Sequence, residues 1–204
     1  MKTRRPGLVA LAVLVPLALA ACGVPVGGSP VVIANNQLNP GALAPPSTTQ
    51  QQGTSTYIYL VAASGVPTPE IRLVPPQLCT NYEKLLTLLV QGPDPAEEDD
   101  GVTSAIPEGT QVLSVTPRNV GTKPTSGPVT VDFNDSFGEV AGAEQVLAVE
   151  QIVHTIDVLA PATQSVLFEI DGQPIEVPVF NGAQVPRAVS SQDYTSVAQV
   201  TTSC

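Results

Sequence analysis

The stretch LLTLLVQGPDPAEEDDGVTSAIPEGTQVLSV, residues 85–115, holds the passage from a helix to a strand that decides how this chain folds. Leu85, Leu86, Leu89 and Val90, with Tyr82 just upstream, repeat at helical spacing, and Thr80 with Glu83 has the pattern of a capping box at the helix start. Gly92 and Pro93 stop that helix, glycine suiting the residue past the end and proline being unable to continue it. The acidic run 94–100 reads as a solvated loop. Pro107 and Gly109 then set a turn, and Val112, Leu113 and Val115 begin a strand.

Upstream, the run of aromatic and β-branched residues at 57–61 predicts a strand, and a second is expected at 71–74, ended by Pro75 and Pro76. Downstream, Val129, Val131 and Phe133 predict another strand after a turn-rich segment, 116–128. Over 143–159, Val146, Val149, Ile152, Val153 and Ile156 share one side of a helical wheel, with Glu150, His154 and Asp157 opposite. That pattern predicts an amphipathic helix lying on a sheet with a solvated polar face. Residues 166–170, then Asp171 and Gly172, then 175–180 read as a hairpin, Asp-Gly being a strong turn signal. Pro174 and Pro178 suggest that its second arm is an edge strand. The expected order is β-β-α-β-β-α-β-β: an α+β single domain, a mostly antiparallel sheet with two helices packed on one face.

The N-terminus gives an address. Lys2, Arg4 and Arg5 precede an apolar stretch, 6–21, that is too short to span a bilayer and ends in Leu19, Ala20, Ala21 and Cys22. This resembles a bacterial lipobox, which implies a lipoprotein signal peptide over 1–21 and a diacylglyceryl group on the Cys22 thiol. Two acyl chains anchor stably where one holds marginally. Residues 22–54 then form the lipidated N-terminus and a tether, with no charge from Gly23 to Pro69. In the flexible regime such a tether spans about 30 Å. The domain is expected over 55–195, with a tail at 196–204.

Three of the 8 Lys and Arg lie in the signal peptide, so the mature chain carries five against 18 Asp and Glu, a formal charge of −13. Five scattered cations cannot line a nucleic-acid groove, which argues against that class of partner. An anionic membrane surface repels the chain too, so attachment falls to the lipid at Cys22. With Cys22 lipidated, Cys79 and Cys204 are the available pair, and a bridge between them is expected in an export pathway. The alternative is a buried free Cys79 with a loose C-terminus.

Three segments resemble the GerMN domain, a module of spore-germination and sporulation proteins that also occurs in actinobacterial lipoproteins. The first is 85–115, with Gly92, Pro93, Ser104, Ala105, Ile106, Pro107 and Gly109 at the motif positions. The second is 129–133 with Phe137 after it, and the third joins 151–156 to 166–174, including Asp171 and Gly172. These are fold-making positions. The resemblance implies an extracytoplasmic module used in envelope or sporulation assembly, with no established reaction; members often carry two copies or a further domain, and this chain shows one copy.

Chemistry is sparsely written. His154 is the single histidine and is expected to be solvated on its helix, which leaves Ser-His-Asp catalysis without support; no G-x-S-x-G elbow exists. One histidine and two cysteines fit no usual zinc spacing, and aligning Gly101 as the sixth position of a calcium loop puts Ala96 and Pro107 where its first and last ligands belong. No catalytic residue, metal or cofactor is expected. The sequence thus predicts a lipid-anchored, non-enzymatic interaction module of the cell envelope, binding another envelope protein by a sheet surface or edge. The alternative is a lipoprotein that binds glycan, peptidoglycan or a small ligand, with Tyr57, Tyr59, Tyr82 and Tyr194 available to stack on sugars.

Overall fold

The structure, a computed structural model, describes residues 53–120, 127–159, 164–194, 197, 198, 200 and 202. Cys22, the signal peptide, the tether up to residue 52 and Cys204 lie outside the described residues, as does part of the turn-rich segment. Strand β1 (Thr54–Val61) and strand β2 (Pro67–Val74) pair antiparallel from Thr54 opposite Val74 to Val61 opposite Pro67. Helix α1 (Tyr82–Leu89) follows, then a short helix α2 (Pro95–Asp99). A four-stranded sheet is built in the order β3 (Val112–Thr116), β4 (Val129–Phe133), β5 (Val166–Ile170), β6 (Gln173–Pro174). Helix α3 (Ala143–Asp157) joins β4 to β5, which run parallel; the other strand pairings are antiparallel. A last small hairpin pairs β7 (Val177–Pro178) with β8 (Gln184–Val185). The fold is α+β, and a single cluster of buried side chains joins its sheets and helices.

Local rules explain most of these elements. Tyr82, Leu85, Leu86 and Leu89 bury one stripe of α1, the spacing that an amphipathic helix requires. Its cap is one residue later than the sequence pattern predicts: the Asn81 side chain accepts from the Lys84 amide at 2.9 Å, with Thr80 outside the helix. Asp171 and Gly172 both adopt positive φ, 49° and 73°, as the tight turn between β5 and β6 demands. Phe133, Phe137 and Phe168 stack with ring centroids 4.6–6.5 Å apart and fill the centre of the four-stranded sheet's inner face.

The expected acidic loop differs. Asp94 caps the first turn of α2 by accepting from the amides of Ala96 and Glu97, while Glu97 reaches back to the Asp94 amide. Glu97 is also held by both Arg72 nitrogens, at 2.6 and 2.7 Å. The Arg72 bonds, with the capping contact, hold its carboxyl below the usual carboxylate range. Three acids in five residues, capped by Asp94, therefore form a helix bolted to β2.

Strand β1 occupies the structural centre. Ile58, Tyr59, Leu60 and Val61 are all buried, the pattern of a strand covered on both faces. Its second edge pairs with no strand at Tyr59. Instead the Tyr59 amide donates to Thr155 Oγ1 at 2.9 Å, and Gln151 Nε2 donates to the Tyr59 carbonyl at 2.9 Å. The Gln151 amide oxygen accepts from the Ala105 amide at 2.8 Å, and Val61 exchanges backbone bonds with Thr103. Side chains of α3 thus close the edge of β1. Replacing Gln151 with Leu strands the Tyr59 carbonyl and the Ala105 amide, and should destabilise the domain by about 2–4 kcal/mol in urea unfolding.

Candidate functional site

Helix α3 is where the structure departs most from the helical wheel. From Ala148 to Ile156 every residue is buried, Glu150 at 3% and His154 at 1% exposure. The predicted solvated face is therefore an interior one, because α3 packs against β1, α1, β7 and the turn Ser191–Asp193. His154 Nε2 lies 3.5 Å from Glu150 Oε1 without forming a hydrogen bond, and neither ring nitrogen has a partner among the described residues. The Tyr59 ring sits over His154 at 5.3 Å between centroids. Asp157 completes the strip, and burial raises its carboxyl above the usual range, an effect that Ser191 and His154 partly offset. Burial, aided by the Asp157 charge, pushes the Tyr82 hydroxyl up to about 12.

This strip has the wrong connections for nucleophilic catalysis. A serine nucleophile must give its proton to the histidine, with the acid behind it. Here, among the described residues, neither Asp157 oxygen and neither His154 nitrogen takes part in a hydrogen bond, and the contact of His154 is with Glu150. His154 lines neither cleft beside α3, and no cluster of three metal-ligating side chains occurs among the described residues.

Two clefts flank the N-terminal half of α3 and meet at Leu147. The first, about 470 Å³, runs under the segment 103–108 and brings Glu108, Glu139 and Glu144 to its walls. Ser104 and Pro107, to which the sequence gives only fold-making roles, also line it. The Ser104 hydroxyl accepts from the Ile106 amide at 3.2 Å, and the Thr110 amide closes the turn onto the Pro107 carbonyl at 3.2 Å. Gly109 has φ 82° in that turn, as the sequence pattern predicts, and its carbonyl accepts from Asn134 Nδ2. The second cleft, about 590 Å³, lies between α3 and the β7–β8 hairpin. Val146, Pro178 and Phe180 give it an apolar wall, and Glu150 lines it. Phe180 is 69% exposed at the hairpin tip. The sequence shows Phe180 only as the end of a strand; its exposure comes from the loop 179–183, closed by the Val179 amide on the Ala183 carbonyl.

Other predicted positions lie apart from the clefts. Gly92 adopts φ 77° three residues beyond the end of α1, with Pro93 next in the chain, and Gly172 lies in the β5–β6 turn, where its amide donates to Asp132 at 2.9 Å. Cys79 is buried just after the turn Pro76–Leu78. Tyr59, Tyr82 and Tyr194 are buried too, with the Tyr194 hydroxyl donating to the Pro178 carbonyl at 2.9 Å.

The family model that describes sporulation and spore germination, Germane, matches residues 57–176. The first GerMN domain of the sporulation protein GerM from Bacillus subtilis superposes with a TM-score of 0.51 at 20% identity, covering 68% of this chain and 98% of that one. The tandem GerMN domains of the same protein give 0.44 at 22% identity over 59% of this chain, which spans 40% of that structure. A candidate lipoprotein from Clostridium perfringens gives 0.43 at 17% identity, over 68% of this chain and 87% of that one. Among curated proteins none matches.

Because the Asp157 carboxyl is raised in the fold, the unfolded chain ionises first as pH climbs, and stability is lost from the usual carboxylate range upward through the raised value. The Asp157→Asn variant lacks that loss. Thermal melts should show its stability relative to the parent rising between about pH 3 and pH 7.

Proposed function

This chain belongs to the Germane family of sporulation and spore germination domains, and from that membership we propose that it is a lipid-anchored, non-enzymatic module that docks another protein at the outer face of the cell membrane. The carrying observation is the pair of clefts meeting at Leu147, concave and acidic, beside a histidine whose connections cannot activate a nucleophile. The anchor rests on Lys2, Arg4, Arg5 and the run closing at Cys22, and the length of the tether lets the domain stand off the bilayer.

Docking through the clefts is favoured over strand addition at β2. Pro67 and Pro69 stand opposite Val61 and Tyr59, whose backbone groups turn away from β2. Those two proline nitrogens therefore fall on the outer edge of β2, where an incoming strand would need a donor and finds none. The glycan reading keeps only half-buried Tyr57 of its four stacking tyrosines, since Tyr59, Tyr82 and Tyr194 are core residues.

We assign the partner of Cys79 as Cys204. Supporting this pairing, Cys79 is disulfide-bonded, and Ala198 and Thr202 both meet β1: Tyr59 donates to the Ala198 carbonyl at 2.7 Å and Thr202 to the Ser55 carbonyl at 3.0 Å. Ser55 lies opposite Leu73, near the end of β2 that leads to Cys79.

Two outcomes follow. Cys22→Ser should move the protein from the membrane pellet to the soluble fraction and abolish incorporation of labelled palmitate, while cross-linking of the parent in native membranes should recover a recurrent protein partner; none recovered contradicts the reading. Cys204→Ser should lower unfolding stability by roughly 4–5 kcal/mol, and reductant should do the same to the parent and nothing to the variant.

A further inference from the structure

The second cleft is lined by a buried acidic side chain that accepts no hydrogen bond at one of its oxygens among the described residues. Glu150 is 97% buried, lines the cleft, and has no hydrogen bond to Oε1. Apolar side chains share the cleft with it, Val146 and Leu147 on its own helix and Pro178 and Phe180 across the gap. Gln184 Nε2 donates to Gln145 Oε1 at 3.0 Å, which ties the hairpin to the helix. A carboxylate in such a place is costly unless a donor or cation meets it. No Lys or Arg lines either cleft, and the neighbouring cleft adds Glu108, Glu139 and Glu144.

We infer that the cleft between α3 and the β7–β8 hairpin takes a lysine side chain, flanked by apolar residues, from a segment of the partner protein. The assignment rests on the docking function proposed above and names its contact. Two features select this occupant. An acidic lining with no lysine or arginine of its own selects a cation. The apolar wall then covers a four-carbon stem, and exposed Phe180 offers its ring to the stem or to the charge at the mouth. The carboxylates of the first cleft continue the surface past Leu147, so a peptide rather than a free amine fills the whole.

The test uses the full chain carrying Cys22→Ser, titrated with the peptide acetyl-Ala-Leu-Lys-Leu-Ala-amide and with its norleucine counterpart, read by calorimetry and by amide chemical shifts. The lysine peptide should bind at least about tenfold more tightly than the norleucine peptide, and Glu150→Gln should erase that difference. Should Glu150→Gln fail to fold, Phe180→Asp at the exposed rim serves in its place, since it deletes the apolar wall without touching the core; binding should fall by about tenfold or more. Equal affinity for the two peptides, no binding of either, or full binding by Phe180→Asp overturns the assignment. Cross-linking in native membranes separates the two proposals. A partner kept equally by the parent and by Phe180→Asp removes the lysine cleft and leaves the docking module standing, whereas no partner for the parent removes both.

Discussion

A primary amide shut away from water must satisfy its own donor and acceptor, and Gln151 does so by joining two segments far apart in the chain. Its nitrogen holds the Tyr59 carbonyl of β1 and its oxygen the Ala105 amide of the segment that walls the first cleft. Thr155, one turn on, takes the Tyr59 amide. Three backbone groups that would otherwise sit unpaired in the interior are thereby answered by one helix, each worth about 1–3 kcal/mol if orphaned. The position of α3 against β1, the course of residues 103–108 and hence the shape of the first cleft all follow from these bonds.

The same bonds explain why the strands fall into separate sheets. With its second edge spent on Gln151, Thr155 and Thr103, β1 has no free ladder to offer β3 or β5. Hairpin β1–β2 and the four-stranded sheet therefore meet through packed side chains, with α3 between β4 and β5 as the crossover that parallel strands require. Prolines 67 and 69 occupy positions in β2 where no donor to β1 is called for, so they cost the hairpin nothing and blunt its outer edge. The β1–β2 hairpin, with one edge closed and the other blunted, therefore offers an incoming strand a poor ladder.

Much of this was legible in the residues. The apolar stripe of α1, the Asp171–Gly172 turn, the Pro107–Gly109 turn and the strands at 112, 129 and 166 are local patterns, and local patterns were obeyed. What failed was long-range. The wheel of α3 separates Glu150, His154 and Asp157 from the aliphatic residues correctly, yet polarity reports solvent only where nothing packs on that face; here β7 and the turn at Ser191–Asp193 do. Gln151 and Thr155 carry no mark that distinguishes an internal clamp from a surface pair, because their partners lie 92 and 96 residues away. The acidic run misleads for a related reason: a capping aspartate and one distant arginine suffice to turn a charged stretch into a helix. Ser104 and Pro107 were found by motif, and their place on a cleft wall depends on Glu139, Glu144 and Leu147, which arrive from another part of the chain.

The strip Glu150, His154, Asp157 is expensive. Apolar side chains of similar volume would pack α3 as well without burying two carboxylates and an unpaired imidazole. Stability alone therefore gives no account of it, and neither does catalysis, given how its members connect. The Asp157 end lies beside the closed turn Ser191–Asp193, where burial outweighs the partial relief from Ser191 and His154 and keeps its carboxyl raised. The Glu150 end differs, since it opens on a cleft with an apolar wall and an exposed phenylalanine at the rim. A buried charge beside an opening is better answered from outside than from within. On that reasoning the cost in the folded protein is offset when a cation enters, so the unrelieved carboxylate supplies selectivity that an apolar cleft alone would lack.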